Sequence, residues 1–289
     1  MIRYVLSVGG ARGSFQAGAL WRLHVEGLTG GHYYGHSVGA LNGVICAMGG
    51  WADMLEVWET IKDKDVYRHK FGAARAGWAA VTGQAMLDTE PLMELVNRQT
   101  IWRKLEAEFT TGFVDLEDGL LRRKTYLPGR PRTGIERDVY ASAAIPFAFP
   151  LIDHEADGGL IEPVPLSPAI EDASDDDVIV IISCHPIGKI APEKQSTGAF
   201  GRLSRTLEIM QHTLTQRSVE PFLLINRLAA HGDLTDPATG RVYRKFKSVI
   251  IAPQEPLPWG MLDFSGSHAG VYMGIAAAEQ ALANLKALI

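Results

Sequence analysis

The chain has 289 residues, 46% of them hydrophobic and 21% charged, with a formal net charge of −5. That length can bury a large core, and the composition is that of a globular protein rather than a disordered or fibrous one. No basic block exceeds Arg122-Arg123-Lys124, which argues against nucleic acid as a partner.

Residues 2–7 read as a buried strand, and residues 14–28 as a helix with Phe15, Ala19, Leu20 and Leu23 near one face. A second short strand, 33–36, leads into a small-residue helix over 38–48 that Gly49-Gly50 ends. Two strand–turn–helix units in a row begin a parallel α/β sheet. Residues 51–107 hold Trp51, Trp58, Trp78 and Trp102 in helical patterning and read as an insertion over the sheet. Thr89-Glu90-Pro91 predicts a helix start within it, with Pro91 at the first helical position. Residues 108–128 alternate around Asp118-Gly119, a hairpin signal, and 135–141 read as a further strand. Residues 178–183 form a β-branched buried strand, preceded by an Asp175-Asp176-Asp177 run read as a solvated turn. A helix over 199–231 interrupted at Pro221, a last strand at 248–252 and a closing helix over 267–289 complete the pattern. The closing helix carries Val271, Ile275, Ala278, Leu282 and Leu285 in register. With no repeat or linker, 1–289 reads as one domain, with 51–107 as its insertion and 186–289 as its completing portion.

Two cysteines, Cys46 and Cys184, are too few for a disulfide framework and lie in apolar runs, as buried free thiols do. The first residues read as a strand rather than a signal peptide, and no apolar run reaches a membrane span. A cytoplasmic protein is expected, meeting a membrane, if at all, peripherally.

Two glycine-rich turns carry the chemistry. Gly35-His36-Ser37-Val38-Gly39 matches G-x-S-x-G between a strand and a helix, the context of a nucleophile elbow. The competing reading is a glycine turn whose serine caps the next helix. Gly9-Gly10-Ala11-Arg12-Gly13 fails the dinucleotide fingerprint because Val8 stands where its first glycine belongs, and it lacks the Lys-Ser/Thr of a P-loop. An oxyanion hole asks only for backbone N–H groups aimed at a developing charge. Arg12 either steadies this loop or draws an anionic head group. By chain order His185, His212, His231 and His268 are each open as a triad base, yet none sits in a distinctive motif. Asp157-Gly158-Gly159 stands out after the apolar segment 141–150 (Ala-Ser-Ala-Ala-Ile-Pro-Phe-Ala-Phe-Pro).

In these four segments, and in their order, the chain resembles the patatin-like phospholipases. Their pattern is a G-G-G-x-R/K-G loop, a G-x-S-x-G elbow, an A-S-x-A-x-P-x-x-F-P segment and a D-G-G or D-G-A motif. The similarity covers about residues 2–185. The resemblance implies a three-layer α/β fold, with a mostly parallel central sheet, helices on both faces and a helical insertion. It implies a Ser–Asp dyad of Ser37 and Asp157, with the oxyanion held by Gly10, Ala11, Arg12 and Gly13. Gly35, Gly39, Gly158 and Gly159 would support the elbow and the aspartate loop. The substrate expected is a lipid or phospholipid acyl ester, with no metal or organic cofactor; the oligomeric state is open. Two positions depart from the family pattern: Val8 replaces the first glycine, and Pro163-Val164-Pro165 stands where many members have Asn-x-Pro. The readings weighed against this one are a Ser-His-Asp hydrolase or acyltransferase acting on a soluble ester or thioester, and a non-catalytic lipid-binding protein.

Overall fold

The computed structural model describes residues 1–69, 85–190, 198–232, 234–240 and 242–289. Part of the expected insertion, Trp78 included, lies outside the described residues.

The β-branched and aromatic runs pair into a seven-stranded sheet, and two short pairs stand apart from it, β3 (Arg68–His69) with β4 (Leu87–Asp88) and β9 (Leu234–Thr235) with β10 (Val242–Tyr243). Its main path runs β11 (Lys247–Ile251), β8 (Val178–Ile182), β1 (Ile2–Leu6), β2 (His32–Gly35), β5 (Glu108–Asp115) and β6 (Leu120–Tyr126). The pairs from β11 through β5 are parallel. β6 closes the path as the antiparallel hairpin that Asp118-Gly119 signals, and β7 (Glu155–Asp157) adds antiparallel to the end of β5. This is a mixed α/β architecture, with a mostly parallel sheet flanked by helices.

Side chains alternate along a strand, so each strand feeds two cores. From β1, Ile2, Tyr4 and Leu6 enter the larger core, while Val5 enters a smaller one on the opposite face. The larger core is covered by α1 (Gly13–Val25), α2 (Val38–Ala47), α3 (Trp51–Thr60), α4 (Glu90–Thr100) and the closing helix α8 (Ser267–Lys286). The smaller core is covered by α6 (Leu166–Asp172) and by the Val219–Phe222 face of α7 (Gly198–Ala229). A close approach fixes α1 on α8: a Cβ at Gly18 would fall 1.9 Å from the Val271 carbonyl oxygen, and one at Gly274 the same distance from that of Phe15.

Three expectations change. Residues 135–141 are not a strand but part of α5 (Ile135–Ser142). Gly134, at φ 86°, turns the chain into it, and Ile135 and Val139 stand four apart on its buried face. That spacing of four is the helical period rather than the alternation of a strand. Pro221 lies inside α7 without ending it; burial of Thr215, Val219 and Phe222 holds that helix against the sheet despite the missing N–H. The aspartate run is only partly solvated. Asp175 and Asp176 are exposed, whereas Asp177 is buried and accepts from Arg3 Nε at 2.8 Å, and its pKa is lowered. Burial pushes that carboxyl up, and hydrogen bonds from the Ser174 N–H, the terminal amine and Arg3 outweigh it. Cys46 and Cys184 are buried free thiols. Among the described residues no helix is long and apolar enough to cross a membrane.

Candidate active site

The loop after β1 and the elbow after β2 both leave the C-terminal ends of parallel strands, where open α/β sheets place their ligands. Ser37 sits at φ 55° and ψ −130°, between β2 and α2. A serine in that region is strained by roughly 1–3 kcal/mol, which the surrounding bonds must hold in place. Ser142 at the end of α5 supplies part of that hold. Its carbonyl oxygen accepts from the Ser37 N–H at 2.9 Å, and its hydroxyl, which itself donates to the Gly112 carbonyl, accepts the same N–H at 3.2 Å. Two residues on, the Ala144 carbonyl accepts from the Asp157 N–H at 3.0 Å. The small-residue segment thus holds both Ser37 and Asp157. The elbow is tight: a Cβ at Gly35 would lie 2.2 Å from the Gly39 carbonyl oxygen.

Asp157 ends β7 and is buried. Its Oδ1 accepts from the Gly159 N–H at 2.7 Å, while Oδ2 has no hydrogen-bond partner. Burial pushes the carboxyl up to about 6, partly offset by the Ser37 hydroxyl and the Gly159 N–H. The hydroxyl is therefore near enough to stabilise the carboxylate, without the geometry of a formed hydrogen bond. Such looseness is common in unliganded sites. Gly159 also packs against the first loop, since a Cβ there would lie 2.5 Å from Val8 Cγ1.

The 9–13 loop is pinned from several sides. Gly10, at φ 57°, passes so close to the 257–264 segment that a Cβ would lie 2.1 Å from the Met261 carbonyl oxygen. That oxygen accepts from the Ala11 N–H at 2.8 Å. The Arg12 N–H bonds Gly9 O, the Gly13 N–H turns back to Gly10 O and Ala11 O, and the Val8 N–H bonds Pro163 O. Of the four residues expected to hold an oxyanion, Gly10 is the one that lines the cavity beside Ser37. The Arg12 side chain is buried and points to Glu208 Oε1 at 2.5 Å, the Trp259 carbonyl at 3.2 Å and His185 Nδ1 at 3.4 Å. It steadies the loop rather than facing a head group.

Asn42 and Gln16 stand in no motif, and Trp58 stands out only as one of the tryptophans of the insertion. Trp58 Nε1–H donates to Asn42 Oδ1 at 2.8 Å, and Asn42 Nδ2–H donates to Gly13 O and to Gln16 Oε1, each at 3.0 Å. Gln16 in turn reaches Ser7 O and Ile182 O. This buried chain ties the elbow helix to the first loop. No motif marks it, because its members are single polar residues on three separate helices.

An apolar cavity opens beside Ser37, Gly10 and Val38. Its walls come from α2 (Leu41, Ile45), α3 (Val57, Trp58), α4 (Leu92, Val96) and, from elsewhere, Ile145, Phe149, Leu262 and Phe264. The expected insertion therefore forms a wall of it. In the segment 258–264, Trp259, Met261 and Phe264 are buried, while Pro258, Gly260 and Asp263 are exposed. None of His185, His212, His231 and His268 lines the cavity. His185 and His212 are buried elsewhere, and His231 and His268 are exposed. Burial, with Arg12 nearby, pushes His185 down to about 3. Among the described residues, no cluster of His, Cys, Asp and Glu has the arrangement of a metal site.

Ser37 thus lines an apolar cavity above the ends of parallel strands, with the buried Asp157 carboxyl close to its hydroxyl. The family described as Patatin-like phospholipase matches residues 4–170, and the chain belongs to that family. Its members are generally serine acyl hydrolases acting on lipids. Among solved structures the chain is similar to VipD from Legionella pneumophila, at 15% identity and a TM-score of 0.48. That alignment covers 97% of this chain and 66% of VipD, so the chain spans just under two thirds of VipD's length. No curated protein matches it.

Proposed function

We propose that the protein hydrolyses lipid acyl esters through an acyl-enzyme on Ser37, with Asp157 as the only general base. The observation that carries this reading is the Asp157 carboxyl: buried, raised to about 6, one oxygen fixed by the Gly159 N–H and the other without a partner. A carboxyl at its ordinary pKa is a weak base for a hydroxyl, and burial makes it a stronger one.

An acyl chain enters the apolar cavity and its ester carbonyl comes to rest over Ser37. Ser37 Oγ attacks the carbonyl carbon as its proton passes to Asp157. The oxyanion is received by the Gly10 N–H and by the Val38 N–H, a first-turn donor of α2 with no acceptor within its helix, next to the nucleophile. The N-terminal end of α2 adds a favourable dipole. Ala11, Arg12 and Gly13 serve the hole by shaping it, since their N–H groups already have acceptors. Collapse of the tetrahedral intermediate breaks the ester bond, and Asp157 returns the proton to the departing alcohol. Asp157 then takes a proton from the water that attacks the acyl-enzyme, and returns it to Ser37 Oγ as the acyl–oxygen bond breaks and the fatty acid leaves. The apolar lining favours phospholipid or lysophospholipid acyl chains over small soluble esters. Against the triad alternative, His185 and His212 lie beside Arg12 and Glu208, and His231 and His268 are exposed.

Fatty-acid release from phosphatidylcholine and lysophosphatidylcholine vesicles tests this. Turnover by the wild type that is lost in both Ser37→Ala and Asp157→Asn supports the proposal. Turnover that survives either substitution refutes it.

A further inference from the structure

We propose that His36 is a positioning residue that locks the nucleophile elbow to the aspartate loop, so that one imidazole ring sets the geometry between Ser37 and Asp157. The inference rests on the Ser37–Asp157 reading and deepens it.

His36 precedes Ser37 and is fully buried. Its Nδ1 lies 2.9 Å from the carbonyl oxygen of Glu162. A carbonyl can only accept, so Nδ1 carries the hydrogen. Burial, with Arg123 adding to it and Glu162 opposing, lowers the pKa of the ring and favours its neutral form. Nε2 is then the bare nitrogen; it is buried without a partner against the backbone at Gly112, where a Cβ would lie 2.9 Å from it.

The ring also carries the residue after the base. A Cβ at Gly158 would lie 3.0 Å from His36 Cγ and 2.4 Å from the Gly112 carbonyl oxygen. The aspartate loop is thus fixed to the elbow on both sides: Gly158 packs on the ring face, and Glu162 hangs from Nδ1. Glu162 is itself held, accepting from Arg123 Nη2 at 2.9 Å and from the Ser167 N–H at 3.3 Å. These bonds occupy the stretch just before Pro163-Val164-Pro165, where the family's Asn-x-Pro is missing. Nδ1 is committed to the Glu162 carbonyl and the bare Nε2 lies against Gly112, so the part of His36 is placement rather than proton transfer.

The test compares His36→Leu, which removes the donor, with His36→Asn, whose Nδ2 can stand in for Nδ1. A displacement of one ångström at the reacting atoms costs about 100-fold in rate. The expected result is a kcat fall of that order in His36→Leu with KM within about threefold, a parallel fall in fluorophosphonate labelling of Ser37, and recovery of most of both in His36→Asn. Equal losses in the two variants, or wild-type kcat in His36→Leu, would overturn the proposal. Should His36→Leu not fold, nitrogen-15 histidine NMR on the wild type decides. The proposal expects a neutral Nδ1–H tautomer unchanged from about pH 5 to 8, with a Nδ1 signal that moves when Ser37 is phosphonylated. An Nε2–H tautomer, or a His36 titration that follows the rate profile, would contradict it. Wild-type turnover in Asp157→Asn would instead overturn the dyad, leaving the tautomer result untouched.

Discussion

Arg12 in the first glycine loop and Glu208 on α7 form an ion pair at 2.5 Å, although 196 residues separate them in the chain. The pair is asymmetric. Glu208 also accepts from Arg205 at 2.9 Å, whereas among the described residues buried Arg12 has otherwise the Trp259 carbonyl and His185. Removing the acid therefore strands a buried guanidinium, while removing Arg12 leaves the acid still paired. Glu208→Leu is expected to lower stability by about 3 kcal/mol, and Arg12→Met by about half as much. Thermal or urea unfolding of the two variants checks the order.

The rate should depend on one ionisation. Asp157 acts as base only when ionised, so kcat/KM is expected to rise tenfold per pH unit up to about 6 and to level off above it. His185, pushed down to about 3, and His32, pushed down to about 4, stay neutral over that range and cannot supply the limb. A pH–rate profile on a soluble ester measures it, and a plateau beginning only above pH 7 would not fit.

The same ionisation should cost stability. The folded pKa of Asp157, about 6, lies above the unfolded value of about 3.9, so the folded state binds the extra proton between them. The favourable term is complete below the unfolded pKa and is lost as pH rises through 6. Asp157→Asn removes the buried charge and keeps an acceptor for the Gly159 N–H. It is expected to raise stability by about 1–3 kcal/mol at pH 8, and to leave it nearly unchanged at pH 4. Melting curves at the two pH values separate this from a general packing effect.

Val96 on α4 is buried and lines the cavity. Val96→Phe shortens the space for an acyl chain. Each methylene left in water forfeits about 0.8 kcal/mol, so exclusion of two or three lowers kcat/KM for long-chain esters by roughly 10- to 50-fold. Short-chain esters should be nearly unaffected. A series of p-nitrophenyl esters of increasing length reads the difference.

How much the sequence reveals follows from how local each device is. The elbow, the glycine loop and Asp157-Gly158-Gly159 are legible because a few adjacent residues must adopt special backbone geometry, and glycine records that need. The Ser142 and Ala144 carbonyls are hidden inside a segment legible only through resemblance. The Trp58–Asn42–Gln16 chain, the Arg12–Glu208 pair and the Met261 carbonyl join distant positions through single side chains or the backbone, and neither leaves a local pattern. Periodicity failed at 135–141, where adjacent apolar residues concealed the Ile135–Val139 spacing of a helix. The departure at Val8 is accommodated: its N–H is bound by Pro163 and its side chain packs on Gly159.

The central claim is that Ser37 is activated by Asp157 and by no histidine. Peptide mass spectrometry after timed exposure to a fluorophosphonate tests it most directly. The account predicts a phosphonyl adduct on Ser37 in the wild type at an undiminished rate in His185→Asn and His212→Asn. It predicts slowing by about 1,000-fold or more in Asp157→Asn, at the low end of what loss of an essential base costs. An adduct on another residue, wild-type labelling in Asp157→Asn, or loss of labelling in a histidine variant that still folds would contradict it.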